Sequence, residues 1–123
     1  MINTEVLNMI AQCRKEASWL KNYLSDKPSL FDISFHTASI EFKKSLNKFD
    51  LYLFKYPRAL FVEQLTEINK LGHIYWNIQE DLAKNLQNRT SIDVLEVGDA
   101  LKNTINEILN ALSSLEKNYL TIK

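Results

Sequence analysis

The sequence predicts an all-α protein: an antiparallel, up-down-up-down four-helix bundle with helices over roughly 4–25, 29–55, 57–87 and 91–120. Three observations predict it. Apolar residues recur at steps of three and four along almost the whole chain, the period of one helix face. Only two glycines and two prolines occur in 123 residues, too few for the many turns of a β-fold. The connections between the apolar runs are short, which forces neighbouring helices to run in opposite directions.

The first run is Val6, Ile10, Cys13, Ala17, Leu20 and Leu24. Asn3 or Thr4 is placed to cap it, with Glu5 in the first turn where the helix dipole favours an acid. Pro28 ends it by disfavouring the α conformation at Lys27. The second run is Phe31, Phe35, Ala38, Phe42, Leu46, Phe49, Leu53 and Tyr56. Ser29-x-x-Asp32 has the form of a capping box and sets its start near Ser29.

The third run is Phe61, Leu65, Ile68, Gly72, Tyr75, Gln79, Leu82 and Leu86. Pro57 fits its first turn, where a missing N–H costs nothing. The competing arrangement joins runs two and three into one long helix kinked at Pro57. A mid-helix glycine costs about 1 kcal/mol relative to alanine, so Gly72 on the stripe implies a close helix approach or a gap. The fourth run is Val94, Gly98, Leu101, Ile105, Ile108, Leu112, Leu115 and Tyr119, capped by Thr90 or Ser91 with Asp93 and Glu96 at its positive end.

One domain over residues 1–123 is the expectation, since a chain this long buries about two-thirds of its unfolded surface. Net charge is zero, which disfavours nucleic acid as the main partner. The charge is uneven: residues 1–62 carry nine basic and six acidic side chains, residues 63–123 six and nine. Cys13 is the only cysteine, so no internal disulfide forms. The first ten residues lack a signal-peptide pattern and no apolar stretch is long enough to span a bilayer. The expected location is the cytoplasm, without membrane attachment.

Catalytic patterns are missing. Gly72 and Gly98 both fall inside helices, which removes phosphate-cradling loops. No Glu-x-x-His pair exists for a di-iron bundle, and one cysteine with two histidines makes no conventional zinc set. Neither histidine has the arginine spacing of HEPN-type nucleases or the Lys–Gly context of histidine phosphotransfer domains. Hairpin arithmetic nevertheless places Glu16, His36, His73 and Glu107 near one layer, a conceivable metal site or acid–base pair. No cofactor is expected.

The surplus lies in "DLYLFKYPRALFVEQL", residues 50–65. Leu51, Tyr52 and Phe54 fall off the second stripe, and Ala59, Leu60, Phe61 and Val62 cannot all face one core. Aromatic residues and arginine are favoured anchors of protein interfaces. The function expected is a non-catalytic interaction module, a small cytosolic regulator, inhibitor or chaperone of the immunity-protein or antitoxin kind. It would mask a partner protein, or a second copy of itself, through a patch near residues 51–61. Its contact residues would be Tyr52, Phe54, Tyr56, Arg58 and Phe61, then Trp76 and Trp19. The alternative is an enzyme or a ligand- or metal-binding bundle built on the His36/His73 layer.

Overall fold

A computed structural model describes residues 4–26, 30, 32–87 and 94–121. Four helices are found among them: α1 (Thr4–Ser25), α2 (Ile33–Lys55), α3 (Val62–Gln87) and α4 (Val94–Leu120). Each packs on two neighbours, in the ring α1–α2–α3–α4, and among the described residues no diagonal pair brings its backbones close together. This is the square of a four-helix bundle. Contacts along the seams fix the directions. Late α1 meets early α2 where Tyr23 stacks on Phe35, and the middles meet where Ser45 donates to Glu16. Ser39 pairs with Tyr75 and Asp50 with Asn69, so α2 and α3 also run oppositely. The start of α3 lies beside the end of α4, where Gln64 bonds to both Ser114 and Asn118.

The stripes of α1 and α4 close the core as their spacing requires. Val6, Ile10, Cys13, Ala17, Leu20 and Leu24 are all buried, and so are Leu101, Ile105, Ile108, Leu112, Leu115 and Tyr119. Phe35, Phe42 and Phe49 of α2 are fully enclosed. Burying each such ring contributes about 2–3 kcal/mol. Gly72 allows α2 and α3 to approach: a Cβ there would lie 3.0 Å from Leu46 Cδ1. Arg14 and Glu116 tie α1 to α4 at 2.9 Å.

The ends of α2 and α3 depart from expectation. Helix α2 begins at Ile33, four residues after the expected start. Asp32 caps it, accepting from the Ser34 N–H at 2.9 Å. Ser29, Phe31, Thr90, Ser91 and Asp93 lie outside the described residues. Pro57 does not open α3. The Ala59 N–H donates to the Tyr56 carbonyl, so Pro57 and Arg58 are the two central residues of a turn. Proline suits the first of those positions because its ring fixes φ near the value required. Helix α3 starts five residues later, at Val62. The two helices are therefore a hairpin, and the single kinked helix is overturned.

Tyr52 and Tyr56 exchange roles. Tyr52, placed off the stripe by its spacing, is buried. Tyr56, placed on it, is exposed. The reason is local: α2 ends at Lys55, and Tyr56 is its cap with φ −126° and ψ 73°. Its side chain no longer follows the helical direction. Tyr52 instead closes the core end, near enough to Tyr119 that its charge would disfavour the Tyr119 phenolate.

Candidate functional site

The α2–α3 turn is built in three steps. Tyr56 closes α2 by donating its N–H to the Tyr52 carbonyl at 2.8 Å. The Pro57–Arg58 turn reverses the chain. Phe61 then adopts φ 59°, and its carbonyl accepts the first helical bond of α3, from Leu65. A bulky aromatic residue in the left-handed region is strained, at a cost of about 1–3 kcal/mol. Tyr119 holds it there. The Phe61 and Tyr119 rings meet edge to face at 5.1 Å, and the Tyr119 hydroxyl donates to the Leu60 carbonyl at 2.9 Å.

Around this clamp the apolar side chains at the end of α2 and on the turn face outward. Phe54 is 89% exposed, Leu51 67% and Leu60 59%, with Tyr56 and Val62 also on the surface. Lys55 sits 5.3 Å over the Tyr56 ring, and exposed Arg58 lies on the turn itself. Tyr56 leans on Tyr52 at 4.9 Å. Of the residues expected to contact a partner, Phe54, Tyr56 and Arg58 stand on this corner. Tyr52 and Phe61 lie beneath it as support, the first buried and the second half-buried. Leu51 and Leu60 are the surface residues that aromatic-weighted reading underrated. The unbroken apolar run at 59–62 was the signal for Leu60.

The tryptophans lie elsewhere. Trp19 is half exposed on the α1–α2 side, the outer ring of a stack through Tyr23 to Phe35. Trp76 lies between α2 and α3, under the Lys43 ammonium at 4.3 Å, with its indole N–H donating to Glu80 at 2.9 Å. It separates two notches of about 240 and 130 Å³, the first lined by His73 and the second by His36.

The Glu16/His36/His73/Glu107 layer is not assembled. Glu16 borders the α1–α2 side and accepts from Ser45, while both exposed histidines border the α2–α3 side. Glu107 is exposed on α4. Arithmetic along a hairpin gives height in the bundle but not the face, and face is what separates these groups. Among the described residues no three His, Cys, Asp or Glu side chains come together in a way that could hold a metal ion.

The buried polar layer is Ser39, Tyr75 and Gln79. The two hydroxyls are 2.9 Å apart, and the Gln79 amide donates to Ser39 at 3.0 Å and Tyr75 at 3.2 Å. Burial pushes the Tyr75 phenol up, against the opposing help of those bonds. Among the described residues no buried side-chain polar atom lacks a partner. Cys13 is likewise closed to chemistry. Burial, then the Glu16 charge, push its thiol up to about 12 against the opposing charge of Lys48. The thiolate needed for nucleophilic attack is absent at neutral pH.

No described helix is long and apolar enough to cross a membrane. Comparison with protein-family models, with curated proteins and with solved structures returns no match to this chain.

Proposed function

We propose that this chain is a non-catalytic interaction protein, a small cytosolic regulator, inhibitor or chaperone that masks a partner protein with its α2–α3 corner. One observation carries the reading. Leu51 and Phe54 at the end of α2 and Leu60 on the connection that follows are exposed beside Lys55 and Arg58, and that connection's strained residue, Phe61, is clamped from behind by Tyr119. A fixed apolar surface loses little conformational entropy on binding. Apolar and aromatic anchors rimmed by cations are the composition of an interface centre. The mechanism is steric: the corner covers a partner's working surface, and charge assists the encounter.

The test is affinity capture with the wild-type chain beside F54D and L60D. Both positions are exposed, so the variants keep the wild-type circular dichroism and melting profile. The captured partner is lost from both variants and retained by Trp76→Ala. A partner held equally by the wild type and both corner variants would show that the corner is not the binding surface.

A further inference from the structure

Four buried polar side chains are found among the described residues: Ser39, Ser45, Gln79 and Thr104. Ser45 donates to half-buried Glu16 of α1, and Thr104 bonds back to the Ala100 carbonyl of its own helix. Ser39 and Gln79 are different. They bond to each other and to the Tyr75 hydroxyl, so a closed triangle joins α2 to α3 inside the core. Ser39 is 0% exposed and Tyr75 1%, so water does not replace these bonds.

Apolar packing along the same seam is permissive. Core positions of both helices recur about once per turn, so sliding α3 along α2 by one turn, about 5.4 Å, again sets apolar against apolar. The hydrophobic effect is non-directional and separates such alignments weakly. The connection allows the slide as well. Its six residues, 56–61, reach up to about 20 Å when extended, against about 8–10 Å between packed helices. Hydrogen bonds do resist it. One turn either way carries Gln79 from Ser39 to the level of Phe35 or Phe42, both fully buried. The amide would then be enclosed beside a ring that cannot pair with it, which costs more than the bond contributes when made.

We propose that the Ser39–Tyr75–Gln79 triangle is a register lock: it selects one alignment of α2 and α3 and adds little to the stability of the bundle. An apolar layer of the same shape would be as stable or more so, because the polar groups give up water on burial. The lock also positions the corner at the other end of the seam. Phe61 immediately precedes α3, and a slide of one turn would draw its ring away from Tyr119, now 5.1 Å distant. The lock acts within the chain and is independent of what the corner binds. Gly72, against which Leu46 packs, is the steric candidate for the same role.

The experiment compares the wild type with Tyr75→Phe, Gly72→Ala and the triple variant S39A/Y75F/Q79L, and with S39A/Y75F/Q79M as a second filling of the layer. Thermal melts and amide spectra are the readouts, with the Leu46–Gly72 and Phe61–Tyr119 nuclear Overhauser contacts reporting register directly. Tyr75→Phe leaves Ser39 and Gln79 still paired with each other. It melts about 4 °C or more below the wild type and keeps one set of resonances. At least one triple variant melts at or above the wild type, yet its α2 and α3 amides broaden or double and its Leu46–Gly72 contact is lost or joined by others.

Triple variants that keep one sharp set of resonances and both contacts would overturn the lock, because the alignment then needs no polar layer. Triple variants that both melt below the wild type, or both fail to fold, would also overturn it, since the triangle would then be an ordinary stabiliser. Doubled resonances in Gly72→Ala but in neither triple variant would give the role to the close approach of the helices.

Discussion

The middle of the bundle and its α2–α3 corner use similar side chains to opposite ends. In the middle, Phe42 meets Tyr75 edge to face, and the Tyr75 hydroxyl is satisfied by Ser39 and Gln79. Every group there points at another group of the same chain. At the corner, Phe61 and Tyr119 meet in the same edge-to-face way, yet Phe54 and Leu60 beside them stand in water. Aromatic content therefore does not separate core from surface. What separates them is the face on which each side chain stands: Phe42 and Phe54 both belong to α2, and only the first faces the other helices.

The largest test of this contrast is a pair of alanine substitutions. Phe42→Ala empties a fully buried site and costs about 3–5 kcal/mol. Phe54→Ala, at an exposed site, changes stability by no more than about 0.5 kcal/mol. Denaturant unfolding of the two variants checks both, and equal losses would erase the distinction. Next comes the polar layer. Tyr75→Phe leaves Ser39 and Gln79 each short of one partner inside the core, a loss of about 1–3 kcal/mol.

Alkaline pH probes the same enclosure. Cys13 has its folded pKa raised from 9.0 to about 12, and the Tyr75 and Tyr119 phenols are raised as well. Above the unfolded values the unfolded chain has lost protons that the native state keeps, so stability falls as pH rises. The loss begins near pH 9 with Cys13, which alone contributes about 1.4 kcal/mol per pH unit between its two values. Thermal melts from neutral pH to pH 10.5 follow it. Cys13→Ser removes the thiol's part of the slope.

At the corner the effects are smaller. Tyr119→Phe removes the hydroxyl bond to the Leu60 carbonyl and lowers stability by about 1 kcal/mol. Faster amide exchange at residues 61–65 would mark a loosened turn, while unchanged exchange would mean the ring contact alone holds Phe61. The smallest expected change is Gly72→Ala. The gain in helix propensity is about 1 kcal/mol. The new Cβ would sit 3.0 Å from Leu46 Cδ1, the end of a buried side chain that must turn aside. The two nearly cancel, and the variant melts within a few degrees of the wild type.

The spacing of apolar residues read α1 and α4 well because neither contains a run of four consecutive apolar residues to blur its stripe. It read α2 and α3 less well near the turn. There Leu51, Tyr52, Leu53 and Phe54 are consecutive and apolar, so periodicity alone cannot choose which two point inward. It also started α3 at Pro57, five residues too early, where Pro57 is a turn residue. The surplus of apolar residues near the turn was legible in the sequence, but not which of them face outward: Phe54, Tyr56 and Arg58 are on the surface, while Tyr52 and Phe61 lie beneath it. The His36/His73 layer failed because height along a hairpin carries no information about face.

The sequence by itself determined the helices, their number, their antiparallel order and most of the core, because a 3.6-residue period and scarce glycine and proline leave no other regular structure. Only the tertiary structure decided what the corner exposes. That depended on where α2 stops, on a left-handed backbone at Phe61, and on Tyr119 arriving from the far end of the chain to hold it. Contacts between residues so distant in sequence leave no periodic trace, and they are what turned a surplus of apolar residues into a surface.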